Sequence, residues 1–415
     1  MLRGSSHSAV ARLRRAVRDV RGDGRGWTLL AVAGGWFFVL GLRFVVPALL
    51  PAITEEFTVS NAAAGAAITL LWITYALMQF PAGALVDRIG ERRLLVGSAC
   101  LSALALVGYA VSPTFAVFLA ATALFGFGSG VYGPPRGTVL SRTFPDRDGL
   151  AFGAVLAAGS IGAALLPVVA TAVATVAGWR AALAVTIPGF LVFAVALWWA
   201  VPDDGGTTRT DGGAPIRSTA VDVARAVRTR RVALAVVGIT LMLFVFQGLT
   251  AFFTTYLIEV KNVGEGTAGA LFGLLFLAGA VSQSAAGGLA DRFGYGRVLA
   301  AVALLGTPPL VALPYVSGLP LLALASIFVG VRLGVNPVSN AYIVALLPPD
   351  VRGTAWGLIR TAFFTVGAFG STVVGAMADR ALFAEALFLL AGLSILAFAV
   401  YLFLPARPGE DGGTA

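Results

Sequence analysis

One cysteine and one histidine occur in 415 residues. Cys100 lies inside an apolar run with no second thiol in the chain, which excludes a disulfide framework and a cysteine-based metal cluster. A small buried packing residue is the expectation for it. His7 sits in a polar N-terminal stretch, so the apolar runs hold no imidazole for zinc or for a proton relay. Charge is also scarce: Asp, Glu, Lys and Arg make up 12% of the chain, against about 25% in soluble domains. Acid is scarcest where it would matter most, because Glu55, Glu56, Glu259 and Glu385 all lie near the ends of apolar runs. A phosphate-cradling loop and a nucleophile–base constellation are missing too. Gly126-x-Gly128-x-Gly130 falls inside an apolar run and reads as helix packing. Enzymatic activity therefore has nothing to rest on, and no cofactor is expected.

Hydrophobic residues fill the space left by charge, at 58%, and 51 glycines and 20 prolines are spread among them. Soluble helices tolerate that mixture poorly, whereas packed transmembrane helices accept it. Apolar stretches fall at 27–50, 62–86, 94–112, 115–141, 150–172, 180–201, 232–258, 266–290, 298–316, 319–346, 354–377 and 382–404. Each is near or above the roughly 20 residues that cross a hydrocarbon core as helix. The expectation is an all-α membrane protein of twelve transmembrane helices.

The net charge of +9 follows topology and does not indicate a nucleic-acid partner. With a cytoplasmic N-terminus, 22 of the 29 Lys and Arg face the cytoplasm: seven before residue 27, three at 88–93, two at 142–147, six at 209–231, and Arg292, Arg297, Arg352 and Arg407. Arg180, Lys261 and Arg380 fall outside. That bias predicts a multi-pass protein of the inner (cell) membrane with both termini cytoplasmic. Residues 1–26 read as a retained basic arm, since the following apolar run is too long for a signal peptide. Residues 202–231 read as a cytoplasmic linker that ends in a basic amphipathic segment at 221–231, suited to the inner leaflet. Residues 405–415 read as a tail.

The chain repeats itself at an offset of 204. Gly83-Ala84-Leu85-Val86-Asp87-Arg88-Ile89-Gly90 returns as Gly287-Gly288-Leu289-Ala290-Asp291-Arg292-Phe293-Gly294. The same offset maps Gln79 onto Gln283, Gly65 onto Gly269, Gly130-Val131 onto Gly334-Val335, and Ala151-Phe152-Gly153 onto Ala355-Trp356-Gly357. One register across most of the spans makes residues 27–201 and 232–404 two pseudo-symmetric six-helix bundles.

Gly83-x-x-x-Asp87-Arg88-x-Gly90-x-Arg92-Arg93, between spans two and three, resembles the signature loop of the major facilitator superfamily. Phe144-Pro145 and Gly178-Trp179-Arg180 are similar to that superfamily as well. The resemblance implies a secondary transporter that works by alternating access. It assigns a gating role to Gly83, Asp87, Arg88, Gly90, Gly287, Asp291, Arg292 and Gly294. Physically, Gly83 allows close helix approach, and Asp87 can face the positive N-terminus of a neighbouring helix. Arg147 and Arg352 are the expected partners of these aspartates. The superfamily's arginine early in span four is absent, its place falling near Thr122, and Gly159, Gly162 and Pro167 only echo the exchanger pattern of span five.

Ionisable groups within a membrane cost about 2.5–3.5 kcal/mol each on insertion scales, so they mark a pathway or a partner. Arg43, Arg136, Arg332 and Arg360 lie within spans one, four, ten and eleven. The resemblance places spans one, four, seven and ten around a central cavity. Arg332, Asn336 and Asn340, spaced i, i+4, i+8, form one stripe of a regular helix. The 204 register pairs Arg136 with Asn340, Tyr132 with Asn336 and Arg43 with Gln247. Tyr75 and Gln79 form an i, i+4 pair in span two that Gln283 answers from span eight. These eleven residues are the candidate substrate site. Arg332 and Arg43 lie deepest, while Arg136 and Arg360 are near enough to the cytoplasmic face to snorkel.

A cavity rich in arginine and poor in acid suits a small organic or inorganic anion, because guanidinium forks match carboxylate and phosphate. Arg43, eight residues before Pro51, resembles the span-one arginine of the superfamily's anion:cation symporter branch. Protons or another ion are candidate coupling partners in symport or exchange, and a monomer in the lipid bilayer is the expected state. Efflux of hydrophobic compounds, with structural arginines, is the alternative, and a non-transporting membrane sensor is a further one.

Overall fold

The computed structural model describes residues 25–145, 147–203, 229–347 and 352–406. The expected basic arm up to residue 24, the linker with most of its amphipathic segment (204–228) and the tail from 407 lie outside the described residues. So do the side chains of Asp87 and Arg352.

Among the described residues the fold is helical without strands. The helices are α1 Arg25–Ala48, α2 Leu50–Phe57, α3 Asn61–Ile89, α4 Glu91–Ala110, α5 Phe115–Val131, α6 Gly133–Thr143, α7 Asp148–Ala184 and α8 Ile187–Ala200 in the first half. The second half holds α9 Arg230–Glu259, α10 Glu265–Phe293, α11 Tyr295–Leu305, α12 Thr307–Ala312, α13 Leu319–Val331, α14 Val335–Leu346, α15 Arg352–Ala378 and α16 Phe383–Leu402.

Eleven stretches among these are long and apolar enough to cross a membrane, and one of them, Gly149–Ala200, runs for 52 residues. As one straight helix it would reach about 78 Å, more than twice a hydrocarbon core. Gly178 interrupts it at φ +80°, a conformation that favours glycine. The stretch is therefore two spans, and the total is twelve. Proline divides three others into paired helices. Pro47 precedes the break into α2, and proline occupies the first turn of α6 and of α12, where its missing N–H costs nothing. The turns from α3 to α4 and from α10 to α11 are made by Gly90 (φ 86°) and Gly294 (φ 92°), two glycines 204 residues apart. The repeated loop thus has a backbone reason for its last glycine.

Each half packs on itself, α1 on α7 and α3 on α5 in the first, α9 on α16 and α10 on α13 in the second. The halves meet mainly along α3 with α15 and α7 with α10. One end of the bundle carries Arg88, Arg92, Arg93, Arg142, Arg147, Arg292 and Arg297, and is called the arginine-rich end.

At the opposite end the halves are fastened together. The Asp379 carboxylate accepts from the backbone N–H of Asn61 (2.6 Å) and of Ala62 (2.9 Å), so a residue just past α15 caps the start of α3. The Thr254 hydroxyl donates to the Pro47 carbonyl across α9 and α1, and that of Thr69 to the Ala368 carbonyl across α3 and α15. Contact between α3 and α15 continues down to Phe80 and Gly357. Beyond it the halves part: among the described residues, no atom of another element lies within 4 Å of where a side chain would begin at Gly83, Gly287 or Gly288. The close approach expected at Gly83 is therefore not made in this state. Cys100 departs from expectation too, because it is exposed on the flank of α4. A bilayer-facing surface is as apolar as a core, so a thiol can sit on either.

Candidate functional site

Between the halves lies a cavity of about 190 Å³, with Trp36, Arg43, Trp72 and Tyr75 on one wall and Gln283, Asn336, Asn340 and Arg360 on the other. It sits at mid-membrane depth, for Tyr75 is near the centre of α3, whose ends are Asn61 and Ile89. Aromatic rings close it toward the fastened end. Phe44 of α1 meets Phe276 of α10 at 4.3 Å between centroids, and Phe246 of α9 lies 5.9 Å from Phe44. Trp72 stacks on Phe364 across the halves at 5.7 Å.

Arg43 and Arg360 line this cavity, and Arg136, which is not among the lining residues, packs on its Trp36 wall. The Arg43 guanidinium lies 3.8 Å over the Tyr75 ring and donates to the Ser129 carbonyl at 3.2 Å, with 2% of the residue exposed. Arg136 stacks 3.8 Å over the other aromatic anchor, Trp36, which also lies 5.3 Å from Arg43. Arg360 donates to the Tyr75 hydroxyl at 3.2 Å from the second half. Neither Arg136 nor Arg360 snorkels to the arginine-rich end; both point toward the centre. Nε of Arg43, Nε and Nη1 of Arg136 and Nε of Arg360 are buried without a hydrogen-bond partner. The ion pairs seen among the described residues, Arg92 with Asp203, Arg142 with Glu91 and Arg180 with Glu56, lie elsewhere.

The stripe of Arg332, Asn336 and Asn340 does not hold together. Arg332–Gly334 is a turn of 3₁₀ helix, which adds roughly 60° of rotation over three residues relative to α geometry. Asn336 and Asn340 face the cavity, whereas Arg332 turns into the second half. There it donates to the Gly306 carbonyl at 3.0 Å and the Ser394 hydroxyl at 2.8 Å. The structure gives it a bracing position between α11, α16 and the span-ten helices. Gln247 is also away from the cavity lining, 1% exposed, and neither side-chain polar atom has a partner. Tyr132 lies beneath the Trp36 ring and donates to the Val32 carbonyl at 2.8 Å. Gln79 donates to the Gly130 carbonyl at 3.1 Å, tying α3 to α5, while its repeat mate Gln283 reaches the cavity.

Trp36, Trp72 and Phe364 were not singled out by charge or repeat, yet they frame the arginines. A signal existed: Trp36 is seven residues before Arg43, Trp72 three before Tyr75 and Phe364 four after Arg360, spacings that put each pair on one helix face. Of the gating set, Gly90 and Gly294 make their turns, Asp291 and Arg292 are exposed, Arg292 lies 5.1 Å from the Phe293 ring, and Arg147 sits at the start of α7.

Twelve membrane spans in two repeated halves around a buried polar cavity are the architecture of a membrane transporter. The chain belongs to the Major Facilitator Superfamily, whose sequence profile matches residues 31–335 and 262–415; it is a transporter and not an enzyme. It is similar to the uncharacterized MFS-type transporter YfnC of Bacillus subtilis, with 25% identity over 87% of this chain and 88% of YfnC. Identity to the fosmidomycin resistance protein of Escherichia coli is 24%, covering 82% of this chain and 83% of that protein. Among solved structures, a bacterial homologue of the human lysosomal transporter Spinster, inward-facing and unoccupied, has a TM-score of 0.74 at 17% identity, over 92% of this chain and 96% of that one. The nucleoside transporter NupG has a TM-score of 0.75 at 14% identity, over 91% and 98%.

Proposed function

We propose that this transporter carries a small organic anion through the cavity between its halves by alternating access. The observation that carries the reading is the meeting of Arg43 and Arg360 at Tyr75, with Arg136 stacked on Trp36 beside them, guanidinium N–H groups left unbonded and, among the described residues, no ion pair to a carboxylate. A buried cation without a counter-ion is costly, and an anion with two or three acceptor oxygens would offset that cost. Asn336, Asn340 and Gln283 add neutral donors and acceptors. With the arginine-rich end in the cytoplasm, as the positive-inside rule requires, the fastened end is external and the state is inward-facing. Coupling would come from a gradient, by symport or exchange.

A second reading, efflux of hydrophobic compounds, is favoured by the aromatic walls and by the relative named for drug resistance. The two differ in what Arg43 and Arg360 do. Purified protein should be titrated with a panel of carboxylates, phosphates and phosphonates, sugars and cationic dyes, following the fluorescence of Trp36 and Trp72. Saturable changes with anions that vanish in Arg360→Gln support the first reading; changes with dyes alone, unaltered by that substitution, support the second.

A further inference from the structure

A second large space opens at the arginine-rich end, on the flank of the first half, with a volume of about 880 Å³. It lies between α1, α6 and α8, lined by Arg25, Trp27, Leu30, Arg142, Phe193 and Trp199 among others. Its floor is fixed locally: the Thr28 hydroxyl donates to the Ala200 carbonyl at 2.6 Å, and the Phe193 ring fills the space that a side chain at Gly34 would take. The substrate cavity uses none of these residues.

The chemistry is graded along the crevice. Leu30 and Phe193 make an apolar wall deeper in the span, and Trp27 and Trp199 stand at its mouth, 71% and 83% exposed. Indole rings with an apolar body and an N–H belong at the depth of lipid headgroups. Arg25 has no partner among the described residues and is exposed. Arg142 holds Glu91 at 3.3 Å yet keeps 43% of its side chain exposed. The neighbouring acid at the end of α8, Asp203, is already paired with Arg92, whose guanidinium also lies 4.6 Å from the Trp198 ring.

We propose that this crevice is a binding site for an anionic phospholipid, its phosphate held by Arg25 and Arg142 between Trp27 and Trp199 and one acyl chain laid against Leu30 and Phe193. Charge complementarity selects the anionic headgroup, and the apolar wall selects a lipid over a free phosphate. A basic residue near an anionic headgroup strengthens association about fivefold. The site would fasten α1 to α6 and α8 on the inner leaflet, on the side of the first half away from the cavity.

The full chain should be placed in phosphatidylcholine nanodiscs containing a tenth of lipid brominated along the acyl chain, either phosphatidylglycerol or phosphatidylcholine. Quenching assigned to the crevice is the part lost in the double variant W27F/W199F. The proposal expects several-fold stronger quenching of that part by the brominated phosphatidylglycerol, and loss of the excess in R25Q/R142Q. Arg25→Gln alone, which leaves the Arg142–Glu91 pair intact, should lower the excess about fivefold and keeps the test valid if the double variant folds poorly. Equal quenching by the two lipids, as when zwitterionic lipid or the chain's own N-terminal residues fill the space, overturns the proposal. An excess that survives R25Q/R142Q overturns it as well.

Discussion

Arg43, Arg136 and Arg360 each bring a charge into a region where insertion costs about 2.5–3.5 kcal/mol apiece. The protein offsets part of this with aromatic faces, worth about 2 kcal/mol where desolvated, and with the Ser129 carbonyl and Tyr75 hydroxyl. On the proposed reading, the guanidinium groups of Arg43 and Arg360 at the cavity wall would supply donors to the anion. Removing one such donor should cost about 1.5–3 kcal/mol, so Arg43→Gln and Arg360→Gln should each weaken anion affinity about ten- to hundredfold by the titration described above. Arg332 serves as the contrast. Arg332→Ala should destabilise the second half by about 2–5 kcal/mol, through lost packing and stranded partners, and leave anion affinity of the folded protein within about twofold. Thermal unfolding and binding measured on the same sample separate the two effects. The four arginines within spans were legible in the sequence because charge is conspicuous in apolar runs. Which of them share a space was not, since three residues of 3₁₀ geometry redirect Arg332 and nothing in its spacing announces them.

At the scale of elements, the contact between α3 and α15 decides which end is shut. Asp379 supplies two charge-assisted hydrogen bonds to the first N–H groups of α3, where the helix dipole also favours a carboxylate. Removing a cap costs about 0.5–2 kcal/mol, so Asp379→Ala should raise the share of molecules open at that end about two- to thirtyfold. Spin labels placed at the fastened ends of α3 and α15 should show a longer distance component in that variant, and an unchanged distribution would remove Asp379 from the gate.

A contact within the first half lies at the same end, where Glu56 of α2 accepts from Trp179 at 2.6 Å and pairs with Arg180 after the Gly178 break. The Arg180 hydrogen bond holds the Glu56 carboxyl below its ordinary value. A carboxyl depressed in the folded state contributes stability above its unfolded value, near 4.3, and loses it as pH falls through the folded one. Unfolding temperatures followed from pH 7 downward should therefore drop further in the unaltered protein than in Glu56→Gln. The difference should be small, because the pair is solvent-screened. Asp379 was invisible in the sequence because its partner is backbone, 317 residues away, whereas the Gly90 and Gly294 turns were marked by their repeat.

For the molecule as a whole, composition and a single register of 204 residues were enough to specify twelve spans in two halves. They are short-period signals repeated many times, and packing has little freedom to override them. Access state left no such trace: Gly83 reads as a point of close approach, yet in this state no other element among the described residues reaches it, while the other end is closed by Phe44, Phe246, Phe276 and the Asp379 cap. The most direct test of the central claim is uptake into proteoliposomes of labelled monocarboxylates, dicarboxylates, phosphates, sugars and cationic dyes, with the unaltered protein and with Arg43→Gln and Arg360→Gln. Saturable movement of an organic anion, reduced at least tenfold by either substitution, is the predicted result; movement of dyes or neutral sugars that neither substitution changes would contradict it.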